Sequence, residues 1–194
     1  MNLGSMYMPP DLAEMITQAR QRLTGLGVDP GPVLPSTVDE LRRLFTFVPA
    51  WYTVTIDLGG NTGDYAADSE TLRPEPFLLT RITWATNGDT PVMNGGLALP
   101  GYSSQGRSVQ AEWSDEFTKF LGDKPALLSA LFGDSNGFLD IQGLALFQGK
   151  QTLSAKLTRL GWPYTSSPAI TRWDIVFAGF GLLPKGVNQS GSAG

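Results

Sequence analysis

The chain has 194 residues, 41% of them hydrophobic, with 14 Lys and Arg against 18 Asp and Glu for a formal net charge of −4. That length and apolar content suit one domain with a proper core, and the scattered basic residues form no stripe that could follow a phosphate backbone, which argues against nucleic acid as a partner. Histidine and cysteine are both absent, so imidazole proton transfer, thiol chemistry, disulfides and the usual transition-metal ligand sets are missing together.

The opening Met1-Asn2-Leu3-Gly4-Ser5-Met6-Tyr7 lacks the basic start and apolar core of a signal peptide, and no apolar run approaches the roughly 18 residues that cross a bilayer. The expectation is a soluble protein made in a cytoplasm, with no membrane partner and no cofactor. After Pro9-Pro10-Asp11, Leu12, Met15, Ile16, Ala19, Leu23 and Leu26 recur at three- and four-residue spacing, which predicts an amphipathic helix closed by Gly25 and Gly27. Pro30, Pro32 and Pro35 make a stiff extended link. A second short helix is predicted from Ser36-Thr37, with Glu40 completing a capping box and Leu41, Leu44 and Phe45 on its apolar side.

From Trp51 the period changes to two. Tyr52, Val54, Ile56 and Leu58 alternate with Trp51, Thr53, Thr55 and Asp57, the signature of a strand with one dry face, ended by the turn Gly59-Gly60-Asn61-Thr62-Gly63-Asp64. Further strands are predicted at Phe77 to Ala85, Val109 to Trp113, Leu139 to Phe147, Thr152 to Leu160 and Trp173 to Phe180. A helical insertion is predicted from the N-cap Ser114 through Leu121, with another turn or two from Pro125 to Leu131. Short strands without alternating long helices argue for a mainly β fold: an antiparallel β-sandwich or jelly roll carrying an N-terminal helical arm and a short helical insertion. The expected division is an arm at 1–47, a β domain at 48–185 and a polar, unstructured tail at 186–194.

No motif names a substrate. Paired carboxylates are the best surviving catalytic device, at Asp115 with Glu116 or Asp134 with Asp140, but the adjacent acids Asp115 and Glu116 suit a helix start equally well. Asp134-Ser135-Asn136-Gly137 with Asp140, and Asp57 to Asp64, have oxygen ligands near a turn glycine yet lack the spacing of a calcium loop, and Asx-turn chemistry accounts for them. Gly59 to Gly63 has no following Lys-Ser or Lys-Thr and is not a phosphate loop. No Ser-x-x-Lys supplies a base for a serine nucleophile. The expectation is therefore a protein that is not an enzyme and has no metal site.

Two features invite a binding role. The helical stripe Leu12, Met15, Ile16, Ala19 and Leu23 must be buried, either on the chain's own β domain or on a neighbouring subunit, and we take it as the candidate assembly interface. Trp51 and Trp162 lie at a strand start and in a Gly-Trp-Pro loop, less committed to a core than Trp84, Trp113 and Trp173. They are the candidate exposed aromatics for stacking on a sugar.

Arg73-Pro74-Glu75-Pro76-Phe77-Leu78-Leu79-Thr80-Arg81-Ile82-Thr83-Trp84-Ala85 and Thr171-Arg172-Trp173-Asp174-Ile175-Val176-Phe177-Ala178-Gly179-Phe180, with the Thr-, Gly- and Asn-rich turns between them, resemble minor structural proteins of tailed-bacteriophage virions. The likeness is to the small jelly-roll proteins that decorate or cement capsids or form head fibres, and it covers mainly Trp51 to Pro184. It implies a non-enzymatic protein that clamps shell subunits as a homotrimer or other homo-oligomer, with a major capsid or other virion protein as its second partner. The long arm departs from many such proteins and leaves a neck, tail or baseplate position open. The alternative expectation is a glycan-binding module of a phage or bacterial surface protein.

Overall fold

The computed structural model describes residues 10–59, 61–86, 109–116, 119–120, 124–132, 138–160 and 172–185. The first apolar stripe folds as α1 (Pro10–Gly25). The helix stops where Gly27 takes φ +73°, which lets the Val28 N–H donate to the Leu23 carbonyl at 2.9 Å and the Gly27 N–H to that of Thr24 at 3.0 Å. Glycine enters this left-handed cap without a Cβ clash. Leu26, grouped by its spacing with the helical stripe, falls beyond the last turn and is 73% exposed.

Thr37 opens α2 (Val38–Leu44) with the capping box that its sequence predicts: Thr37 Oγ1 accepts from the Glu40 N–H at 3.2 Å and Glu40 Oε2 accepts from the Thr37 N–H at 3.1 Å. The Ser36 N–H also donates to Glu40 Oε2 at 2.6 Å, and this bond leads the set that holds the Glu40 carboxyl below the usual carboxylate range. A depressed folded-state pKa means that the cap's contribution is complete above the unfolded group's titration and is lost as pH falls through the folded value. Thr37→Ala should cost ~1 kcal/mol of stability, and Glu40→Gln should flatten the acid limb of a melting-temperature profile. A Glu40→Gln profile parallel to the parent's would show that the carboxylate has no such role.

The strands follow as β1 (Phe45–Asp57), β2 (Tyr65–Thr71), β3 (Phe77–Thr86), β4 (Val109–Ser114), β5 (Lys119–Phe120) and β6 (Ala126–Leu127), then α3 (Leu128–Phe132), β7 (Phe138–Phe147), β8 (Thr152–Arg159) and β9 (Arg172–Pro184). Strand β1 begins six residues before the sequence alternation does, because the chain leaves α2 directly into extended backbone at Phe45. The helix predicted from Ser114 is not formed: Asp115 and Glu116 lie outside any element, and Lys119–Phe120 pairs with β4. A two-residue strand there brings Phe120 against Phe147 and Phe177, and that apolar contact outweighs a weak local helix signal. The tail at 186–194 lies outside the described residues.

Among the described residues the strands form two antiparallel sheets, β1-β9-β3-β7 and β2-β8-β4-β5, with β6 added on β4. The fold is mainly β, with an N-terminal helix and a short helical segment. Pairing is nested: β1 with β9, β2 with β8, β3 with β7 and β4 with β5. The main core draws on both sheets, including Val54, Phe77, Trp84 and Phe177 from the first and Ala111, Trp113, Leu153 and Leu157 from the second. Tyr52 stacks edge-on to Phe77 at 5.0 Å and its hydroxyl accepts from the Arg73 N–H at 3.2 Å.

Strand β2 carries no apolar alternation, and the sequence gives no strand there. Ala66, Asp68 and Glu70 stand opposite the core residues Leu157, Ala155 and Leu153, yet both acids are exposed. Inward-side charges on an edge strand discourage pairing with another chain. The free-edge position of β1 likewise explains Pro49, which has no N–H to give to a central strand.

A register shift between Leu79 and Arg81 sets the faces of β3. Thr80 is the extra residue, and beyond it Ile82 and Trp84 turn inward while Arg81 and Thr83 stand on the outer face. The outer face of this four-stranded sheet is divided. At one end, Phe45, Leu78, Leu146 and Leu182 form a second core with Leu12, Ile16 and Ala19 of α1 and Leu41 and Leu44 of α2. The other end carries no helix among the described residues.

Candidate functional site

The stripe expected to dock on a neighbour is filled by the chain itself. Leu12, Ile16 and Ala19 are buried in the second core, and Met15 and Leu23 pack partly buried against it. Gln148 on the β7–β8 turn reinforces the seat with a hydrogen bond from its side-chain amide to the Asp11 carboxylate. The apolar residues that the arm leaves in water are elsewhere, on the link between α1 and α2: Leu26, Val28, Val33 and Leu34 are between 51% and 73% exposed. Arg20 of α1 donates to the Gly31 carbonyl at 2.6 Å and to that of Pro32, and the Gly31 N–H donates to Asp29 Oδ1 at 2.9 Å. These bonds give the link a fixed shape. A hollow of about 390 Å³ between Thr17, Arg20, Gln21, Thr24 and Val33 separates it from the helix.

Trp51 meets the sequence expectation of an exposed aromatic, with 70% of its surface open; Trp162 lies outside the described residues. Trp51 stands on the outer face of the four-stranded sheet, opposite Ala178 of β9, which is opposite Arg81 of β3, which is opposite Asp140 of β7. One lateral row thus reads indole, methyl, guanidinium, carboxylate. Arg81 Nε donates to Asp140 Oδ1 at 2.8 Å, and both side chains are half-exposed. The bulged Thr80 donates its hydroxyl to the Ala178 carbonyl at 3.2 Å. With Pro49 and Phe180 on the side nearer the helices, the row lines a trough of about 500 Å³. Sequence reasoning found the indole but not its neighbours, because the row joins four strands that are distant in the chain.

The other candidates take structural roles. Asp140 is held by Arg81 and does not meet a second carboxylate; Asp134 lies outside the described residues. Glu116 Oε1 accepts from the Thr152 N–H at 3.1 Å. In the Asp57 to Asp64 segment, Asp64 Oδ2 accepts from the Asn61 N–H at 2.8 Å, three residues back, so the carboxylate ties the turn closed from its C-terminal side rather than forming the expected Asx turn. Arg159 is buried beneath that segment, its Nε donating to the Gly59 carbonyl at 2.7 Å and its backbone N–H to the Asp64 carbonyl at 2.8 Å. Burial lowers the Arg159 pKa while the Asp64 charge opposes that shift. On the same sheet as Arg159, Glu112 joins Lys119 and, at 3.3 Å, Lys156; the Lys119 hydrogen bond leads in holding its carboxyl below the usual range. In the main core Trp84 packs against Phe132 and Trp173, and Trp113 against Phe132 and Phe177, and among the described residues no acceptor meets the three indole N–H groups.

Among the described residues no three Asp or Glu side chains gather as a metal site, and no helix is long and apolar enough to cross a membrane. Among the described residues two exposed surfaces stand out: the apolar link and the trough beside Trp51. No protein-family model, curated protein or solved structure matches this chain.

Proposed function

We propose that the chain is a non-enzymatic structural protein of a phage virion, decorating or cementing a capsid or forming an accessory head or tail component through subunit contacts. The nested pairing of first strand with last, second with next to last and so inward supports a jelly-roll wrap, an architecture used by viral capsid and lectin domains. A fold hosts many functions, so the contact surface must carry the proposal. That surface is the link: four large apolar side chains in a nine-residue stretch, Leu26 to Leu34, are exposed on backbone that Arg20 and Asp29 hold in place.

Exposed apolar side chains of this kind gain free energy when a partner covers them, at about 25 cal/mol per Å² removed from water. The partner is a second copy, in a homotrimer or another closed oligomer, or a shell protein beneath it. Light scattering of the full chain should give an oligomer whose mass falls to the monomer's in a Leu26→Ser, Val33→Ser, Leu34→Ser variant with an unchanged melting temperature. A parent monomer would move the test to co-sedimentation with phage capsids. Failure of the parent in both assays, or identical behaviour of parent and variant, would remove the assembly reading.

A further inference from the structure

We propose that the trough beside Trp51 is a binding site for a neutral saccharide, with the Trp51 indole as the stacking platform and the Arg81–Asp140 pair as the hydrogen-bonding wall. The argument starts from the order of the lateral row. An exposed indole offers a flat apolar face. Ala178, the next residue across, is small enough to leave a floor between the indole and the guanidinium. Arg81 and Asp140 then present donors and acceptors in planar groups. A pyranose has the matching polarity: C–H bonds on its ring face and hydroxyls around its rim, each able to donate and accept.

Size and charge narrow the class. The hollow of about 500 Å³ falls in the range of small-molecule sites, and the row crosses three inter-strand spacings, ~14 Å, long enough for a short oligosaccharide. Arg81 meets the opposite charge of Asp140 at 2.8 Å, which weakens the pull of its guanidinium on an anionic ligand. Further along the same face, β1 adds the hydroxyl of Thr53. All these groups stand on paired strands, which hold a constellation more rigidly than loops do. A protein partner would find here Trp51, Pro49 and Phe180 beside the Arg81–Asp140 ion pair and the Thr80 side chain, a more polar strip than the apolar centre of a typical interface.

The full-length protein and Trp51→Ala, with equal melting temperatures as the check on folding, would be applied to a printed array of neutral and acidic glycans, and hits measured by calorimetry. The expected result is binding to neutral glycans, weakened at least tenfold by Trp51→Ala and several-fold by an Arg81→Ala, Asp140→Ala double variant that removes the pair together. No binding across the array at millimolar glycan, equal binding by parent and Trp51→Ala, or binding confined to acidic glycans would each overturn the proposal. So would a parent oligomer that Trp51→Ala dissociates, since the face would then belong to a second copy. The site does not depend on the assembly role of the link, and either can fail without the other.

Discussion

Gly179→Ala is expected to lower stability by about 3 kcal/mol, and the melting temperature of a chain this size by roughly 10 °C. A Cβ at this position would overlap the Leu78 carbonyl oxygen and come within 2.9 Å of its carbon and 3.1 Å of the Leu79 Cα. These are backbone atoms of a neighbouring strand, so no side-chain rotation relieves the overlap. The close approach arises at the bulge: Leu79 is opposite Gly179 and Arg81 is opposite Ala178, leaving Thr80 as the residue that the ladder must absorb. Because the same bulge orients Arg81, the variant should also lose saccharide binding beyond what its stability loss explains, when compared at a temperature where it remains folded. Denaturant unfolding would check the first expectation. A loss below 1 kcal/mol would show that β3 and β9 can separate cheaply, and the rigidity claimed for the trough would go with it.

The Leu12→Ser, Ile16→Ser variant should release the arm. Truncating one buried Leu or Ile to Ala costs about 2–5 kcal/mol, and burying a serine hydroxyl among Leu41, Leu78 and Leu182 adds to that. The combined loss exceeds what a helix of 16 residues contributes alone, since most helical stability comes from packing of the apolar face. The main core does not include these residues, so the two sheets should stay folded while 10–44 becomes sensitive to protease. The undocked arm would uncover Leu78, Leu146 and Leu182, and aggregation should increase. A lower oligomeric mass with an intact, protease-resistant arm would instead return the stripe to an interface between copies.

The contrast between the two helices and the strands shows which signals are local. The capping box at Thr37 and Glu40, the glycine stop at Gly27 and the alternation at Thr152 to Arg159 involve residues within a few positions of one another, and each appears in the structure as its sequence implies. Strand β2 was illegible because its inward positions hold Ala66, Asp68 and Glu70, chosen for an edge rather than a core. Lys119–Phe120 is extended through its partner β4, not through its own pattern. The binding row was illegible for the same reason on a larger scale: Trp51 reads as an exposed aromatic, but Ala178, Arg81 and Asp140 become its neighbours only through the register of four strands. Asp140 could be noticed as a carboxylate without any indication that Arg81 holds it.

Nested pairing also dictates when the molecule can fold during synthesis. The Thr55 hydroxyl meets Asp174, 119 residues later, and the whole β1 ladder waits for β9. Ribosomes extend chains at about 5–20 residues per second, so β1 spends several seconds at least with neither strand partner nor helix cover. The seat of α1 includes Leu182, which makes the first helix to leave the ribosome one of the last to settle. A long free edge such as β1 is an aggregation hazard through that interval. Expression should therefore respond more to translation speed and chaperone supply than to surface substitutions that merely raise the final stability.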